Sequence, residues 1–455
     1  MNVKAALHQR RTWILDAVRT RLWPVPAMGI VAAIVVGVAL PELDGWLESR
    51  LPGVVSQALF GGGPGAAREI LSAIAASVMT VTSLTFSLTV VTLQLASGQY
   101  SPRLLRTFVR DKFVQRTLAL FVATFVYALT VLRTVRDEGE DGPAFVPQLS
   151  VTVAYLLVVL SVVALVLFLG HLVRQIRVET MLSSVASDAL ATADALFEAS
   201  DGERGRPAVS PPAQATRVEA TRPGFIIGID VQALVAAAAR LNAVVSITCK
   251  PGDWLVAGLP VGLVWSASGS LLDEDAVAEL QRCVATALVV GDERTPVQDV
   301  GYAVRQLTDV AVKALSPGIN DPTTAVHAIG HLSALLTHLT DRRLGPTVHC
   351  GDDGSTRVVV AGPEFADLVD EAVSQPRRYG ADDPAVLKAL LHLLRALAWS
   401  STVSQRDVIF EQLARMRRTV AGRDFDDVEC GELERLGAEV EDAVRGRWPL
   451  EGQAP

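Results

Sequence analysis

Apolar residues cluster into four long runs at the start of the chain, over residues 23–40, 70–96, 117–132 and 145–170. A helix needs about 20 such residues to cross the hydrocarbon layer, so each run is read as a membrane span. The third is short, and Arg116 and Arg133 at its ends can extend toward the interface to make it workable. Lys4, Arg10, Arg11, Arg19 and Arg21 precede the first span, and Arg103, Arg106, Arg110, Lys112 and Arg116 separate the second from the third. Arg174 and Arg177 follow the fourth, whereas the other two loops carry Glu42, Asp44 and Glu48, and Asp137, Glu138, Glu140 and Asp141. The positive-inside bias then places both termini in the cytoplasm. No small-residue cleavage site follows the basic N-terminus, so the first span is read as a retained helix and not a signal peptide.

Past the fourth span the helical pattern continues through RQIRVETMLSSVASDALATADALFEA and meets a breaker-rich segment over residues 200–224. Its Pro, Gly, Ser and charged residues predict a flexible linker. GFIIGID and NAVVSITCKPGDWLVAGLPVGLVW read as strands with a turn at Pro251-Gly252-Asp253 and a helix over 231–241 between them. Helices are predicted over 274–290, 297–315 and 322–339, with three more after Pro363 and a strand at STRVVVAG. The expected fold class is an α-helical membrane domain of four transmembrane helices (1–173), a helical extension and linker (174–223), and a cytoplasmic α+β domain (224–455).

Span two differs from the others because Ser, Thr or Gln recurs throughout SVMTVTSLTFSLTVVTLQLASGQYSPRLLRTFVRDK, residues 77–112. At about 100° per residue, Ser72, Ala76, Met79, Thr80, Ser83, Ser87, Val90, Gln94 and Ser97 share one stripe. Thr82, Thr85, Thr89 and Thr92 form a second stripe, and Ile70, Val81, Leu84, Leu88, Val91 and Leu95 fill the sector between. Small residues and hydroxyls suit a close helix–helix contact. The same groups repeated over several subunits suit a water-lined pore, and Gln94 favours that because an uncompensated amide needs a partner. After Gly98, Ser101 and Pro102 open a helix on which Arg103, Arg106 and Arg110 recur at helical spacing. These arginines would lie on anionic lipid headgroups or ring the cytoplasmic mouth of a pore and favour anions.

Half of the 455 residues are hydrophobic and the mean hydropathy is +0.34, as expected of a chain part membrane and part soluble. Its net charge of −8 divides into about +4 over residues 1–173 and about −12 beyond them, which argues against nucleic acid as a partner. Arginine outnumbers lysine and alanine and valine abound, as in a GC-rich bacterial genome. Cys249, Cys283, Cys350 and Cys430 have no CxxC or regular spacing and read as reduced thiols. His327, His331 and His338 recur along one helix without an HExxH arrangement, so they read as a polar face and no metal site is expected. HCGDDG, residues 349–354, offers ligand types but reads as a turn. Arg305, Asp309 and Lys313 form a helical charge ladder, structural or intersubunit in kind. In ALSPGINDPTTA, Asp321 and Pro322 are placed as N-cap and first helical residue. Ser316, Asn320 and Asp321 thus form a rigid corner that could also serve as an interface or a ligand site. There is no P-loop, G-x-G-x-x-G or G-x-S-x-G, so neither an enzyme nor a cofactor nor a catalytic residue is expected.

LTFSLTVVTLQLASGQYSPRLLRTFVRD, FVYALTVLRTV and GDERTPVQDVGYAVRQLTDVAVKALSPGINDPTTA resemble the bacterial membrane proteins grouped as domain of unknown function 2254. The resemblance covers nearly the whole chain and implies an integral membrane protein with a C-terminal cytoplasmic portion, but no activity and no functional residue. HAIGHL departs from that family's pattern after the NDP phrase. From the residues themselves, the expected function is a homo-oligomeric channel of the bacterial inner membrane, lined by span two at Ser72, Thr80, Ser83, Ser87, Gln94 and Ser97. Inorganic ions would be its cargo, the lipid bilayer its surroundings, and the cytoplasmic domain its regulator. The alternative is a membrane-anchored signalling or scaffolding protein whose cytoplasmic domain binds a partner or small ligand. Alternating-access transport is disfavoured, since the spans show neither an inverted repeat nor a carboxylate within the membrane.

Overall fold

Prolines open the first two membrane helices, where a missing N–H costs nothing and the fixed φ favours the first turn. The computed structural model describes residues 23–47, 59–99, 111–138, 144–175, 177–199 and 210–448. In it α1 is Pro24–Leu47, α2 Pro64–Gln99, α3 Lys112–Leu132 and α4 Gln148–Gln175. All four are long and apolar enough to cross a membrane. The third span gains more than a turn over its sequence reading, because the Asp111 carboxylate caps Phe113 and Val114 and carries the helix through Lys112–Arg116.

α3 is the helix the others pack on, with Phe121, Tyr127, Ala128 and Val131 fully buried. α1 approaches it through glycines: a Cβ at Gly37 would lie 2.9 Å from the Thr130 Cβ, and one at Gly29 3.1 Å from the Ala119 carbonyl oxygen. Polar side chains fix the ends of this unit. Asp44, buried in the last turn of α1, accepts from the Leu149 and Ser150 amides at 3.0 and 2.9 Å and from the Ser150 hydroxyl at 2.8 Å. It thereby caps α4 across the bundle. Tyr127 donates to the Ser150 carbonyl at 3.0 Å, and Arg68 pairs with Asp137. At the opposite end Asp111 meets His171 of α4 at 2.5 Å, with the Phe113 ring tilted against the imidazole at 4.8 Å between centroids.

The chain divides into two compact units, Arg11–Arg177 and a second built from Val178 onward. In the second, α5 (Val178–Leu196) packs on α8 (Val300–Ala314) and α9 (Pro322–Thr340). The reading of 174–223 as extension and linker is corrected in part. β1 (Thr216–Glu219) falls inside that segment and pairs antiparallel with β5 (Pro260–Ser266). Its short TRVE stretch carries one buried residue, Val218, too few for a period-2 signal.

Five strands form one sheet in the order β1-β5-β3-β8-β7, with β3 (Ala243–Ile247) central and buried. β8 (Thr356–Val360) runs parallel to β3, and β7 (Thr347–Cys350) closes the edge. A second sheet, β4-β2-β6, comprises β2 (Gly224–Ile229), β4 (Trp254–Leu255) and β6 (Leu288–Gly291). The Pro251-Gly252-Asp253 turn therefore joins strands of different sheets, with Gly252 at φ +96°. α6 (Val231–Arg240) and α7 (Glu274–Ala287) contribute Leu234, Ala238, Leu280 and Val284 to the core shared with the sheets. The sequence pattern extends α7 to residue 290, but the helix stops at Ala287. Leu288–Gly291 pairs with β2 instead, and ladder bonds there outcompete continuation of the helix.

After Pro363 four helices follow instead of three: α10 (Phe365–Tyr379), α11 (Pro384–Ser400), α12 (Arg406–Ala421) and α13 (Asp427–Val444). α11 is their core, with Leu387, Leu390, Leu394 and Leu397 fully buried. Six of the unit's aspartates stand at helix starts. Asp230, Asp273, Asp299, Asp321, Asp383 and Asp426 each accept from an amide of the first turn of the helix that follows.

Candidate functional site

The two polar stripes of α2 have opposite fates. Thr85, Thr89 and Thr92 are buried and Thr82 half-buried, and all four hydroxyls donate to the carbonyl four residues back at 2.7–2.8 Å. That leaves their methyl groups to pack. Leu71, Ile74, Ala75 and Val78 continue the inward face.

The other stripe is uncovered. Ser72, Thr80, Ser83, Ser87 and Gln94 are all exposed, as are Ala76, Met79 and Val90 between them. Thr80 donates to the Ala76 carbonyl at 3.0 Å, whereas Ser83, Ser87 and Gln94 have no side-chain partner among the described residues. Met79, Thr80, Ser83, Ser87 and Phe125 of α3 line a shallow, open groove of about 770 Å³. Ser97 lies on the last turn of α2, but its side chain is outside the described residues, as are Arg103, Arg106 and Arg110 altogether.

α4 provides the contrast. Its outward face carries Tyr155, Leu156, Val159, Leu160, Val163 and Val166, with no hydroxyl other than the tyrosine's. A bilayer accepts such a surface without cost. Leaving the Ser83 and Ser87 hydroxyls and the Gln94 amide toward hydrocarbon would cost free energy at each group, so this face requires water, a polar partner or a second helix.

At the corner the Ser316 hydroxyl, the Asn320 backbone amide and the Asp321 carboxylate are bonded within the turn. The Ser316 hydroxyl donates to the Lys313 carbonyl at 2.7 Å, and Asn320, left-handed at φ +50°, donates its amide to the Ser316 carbonyl at 2.9 Å. The Thr324 hydroxyl and amide reach the Asp321 carboxylate at 2.6 and 3.1 Å and hold it below the usual carboxylate range. The corner joins α8 to α9 as a helix-loop-helix, with the Asn320 side chain exposed.

The α9 histidines diverge: His327 meets Glu179 at 3.2 Å and His338 meets Asp194 at 2.7 Å, both on α5. Burial lowers the proton affinity of His331 below the ordinary histidine value. Their spacing serves the docking of α5 onto α9. Among the described residues no three His, Cys, Asp or Glu side chains are grouped to hold a metal. Arg305 pairs with Asp309 at 3.1 Å and with Glu371 of α10 at 2.5 Å, so the charge ladder ties α8 to α10. HCGDDG begins in β7 and turns at Gly351, where Asp353 accepts from Arg357 at 2.8 Å. The sequence pattern does not reveal the Asp44 cap or the His171–Asp111 pair. Their only signal is a carboxylate or imidazole beside an apolar run, and the partner lies 60 or more positions away.

Comparison with known proteins adds the family. The model for Predicted membrane protein (DUF2254) matches residues 19–396. An uncharacterized protein of Mycobacterium bovis and one of Mycobacterium tuberculosis are each 36% identical over 425 residues, covering 92% of this chain and 79% of the relative. No solved structure matches the chain.

Proposed function

We propose, for a chain that belongs to the predicted membrane protein family DUF2254, that several copies assemble in the bacterial inner membrane around the Ser/Gln face of α2 and enclose an ion-conducting pore. The observation carrying this reading is the uncovered row of Ser72, Thr80, Ser83, Ser87 and Gln94, in contrast to an outward α4 face whose only hydroxyl is that of Tyr155. One subunit supplies four spans, too few to surround a wide water path, so the pore needs further copies. In such an assembly hydroxyls and the amide face water and ions, where their hydration costs nothing. The positive-inside bias supports this arrangement: the unit from Val178 onward serves as a cytoplasmic regulatory part, and Arg103, Arg106 and Arg110 belong to the inner mouth, where they favour anions.

The competing reading is a membrane-anchored scaffold in which the same face is a dry seam between copies. Met79 and Phe86, both about half exposed on α2, favour such packing locally. Purified protein in planar bilayers, with Ser87→Leu as the variant, separates the two. A water-lined face keeps its oligomer and loses conductance, whereas a seam loses its oligomer. A stable oligomer that passes no current over a wide range of voltage, tension and pH would refute the pore.

A further inference from the structure

α10 and α12 of the second unit pack together and turn arginines toward one another at helical spacing. Arg377 and Arg378 come from α10, Arg415 and Arg418 from α12, and with Ser374, Thr419 and Asp370 they line a polar pocket of about 640 Å³. One of the four is neutralised. Arg415 donates to Asp370 at 2.7 Å and to Glu411 at 2.5 Å, and Asp370 is itself fixed by Ser374 and Gln412 at 2.7 and 3.0 Å. Arg377, Arg378 and Arg418 have no carboxylate partner among the described residues. Arg377 donates one Nη1–H to the Thr419 hydroxyl at 2.6 Å, while its buried Nε has no partner. Burial, then the charges of Arg378 and Arg415, pull its pKa below the usual arginine value.

A structural role does not account for this cluster. Arginines in a helix's last turn do complement its dipole, and these two pairs stand near such ends. That role is met by one charge per helix turned to solvent. It gives no reason for three guanidinium groups without a carboxylate partner to line one recess. The surrounding unit, at about −12, makes a local positive excess the more notable, since among the described residues Asp370 is the single carboxylate lining the recess.

We propose that this pocket binds a phosphate-bearing anion, contacted by Arg377, Arg378 and Arg418, with Arg415 held in position by Asp370. Guanidinium forks match phosphate oxygens two at a time, and Thr419 and Ser374 add hydroxyl donors at the wall. The volume falls within the range of small-molecule sites and exceeds what orthophosphate fills. Three guanidinium groups without an ion pair, beside the single Asp370 carboxylate, match a diphosphate or triphosphate. A free phosphate compound and an anionic lipid headgroup present the same chemistry. The site stands whether or not the membrane helices conduct.

The test uses the full chain in uncharged detergent, titrated calorimetrically with pyrophosphate and separately with ATP. Saturable binding is expected for at least one of them, weakened about tenfold or more in Arg378→Gln/Arg418→Gln. Both side chains are exposed and unpaired, so the double variant should melt at the wild-type temperature or slightly above it as repulsion is relieved. Arg447→Gln, which removes an exposed arginine paired with Asp442 elsewhere in the unit, should bind as wild type. Nanodiscs separate the sources: competition by phosphatidylglycerol but not phosphatidylcholine identifies a headgroup, and its absence a soluble phosphate compound. Equal binding by the double variant and wild type overturns the proposal. So does the absence of any arginine-dependent effect of pyrophosphate, ATP and phosphatidylglycerol, or a lowered melting temperature with affinity intact, which would mark the arginines as structural.

Discussion

Replacing Asp44 with alanine removes a carboxylate that joins the end of α1 to the start of α4. Three donors converge on it, the Leu149 and Ser150 amides and the Ser150 hydroxyl, at 2.8–3.0 Å. A hydrogen bond to a charged group contributes about 1.5–3 kcal/mol, but three on one carboxylate do not sum, and the space left by the shortened side chain lets water take up part of the freed donors. A net loss of about 2–3 kcal/mol follows, above the ~1 kcal/mol typical of a local N-cap because this one also links two helices. The substitution Asp44→Asn keeps one acceptor oxygen but turns an NH2 toward a donor, and should recover at most about half of the loss. In a unit of this size each kcal/mol moves the melting midpoint by about 2–4 °C, so Asp44→Ala should melt about 5–10 °C lower. Size-exclusion chromatography after heating in detergent reads that shift. A variant melting within about 1 °C of wild type would refute the claim that this carboxylate holds α4 to α1.

Two further substitutions probe the second unit. Gly252→Ala should cost about 3 kcal/mol or more, because φ is +96° and a Cβ would collide with the Asp299 carboxylate that Arg294 holds at 2.8 Å; chemical denaturation measures it. Thr324→Val removes the hydroxyl that chiefly lowers the Asp321 pKa, and should cost about 0.5–1.5 kcal/mol at neutral pH. Because the folded pKa lies below the unfolded one, Asp321 contributes its full stability above the ordinary carboxylate range and loses it as pH falls through the lowered value. In the valine variant that loss should be smaller and should be complete at a higher pH in a melting series, and an unchanged acid limb would contradict it.

What was legible in the sequence was what recurs at short range. The four spans, the stripes of α2 and the Asp321–Pro322 helix start each depend on residues within a few turns of one another, so periodicity and capping chemistry reveal them. Which stripe of α2 turns inward was not legible, because that depends on α3, whose Phe121 and Tyr127 fill the bundle. β1 and β6 escape a sequence reading for a related reason: a four-residue strand exists because a distant partner offers a ladder, and LVVG reads equally well as the end of a helix. The arginine pocket shows the same limit in charge. The pairs in QPRRYG and RMRRTV lie about forty residues apart, and an average near −12 conceals them until α10 and α12 bring them together. Net charge describes a unit's mean field, whereas a binding site depends on which charges lack a partner. Here Asp370 and Glu411 engage Arg415, while Arg377, Arg378 and Arg418 have no carboxylate partner among the described residues, so an acidic unit can hold a site for an anion.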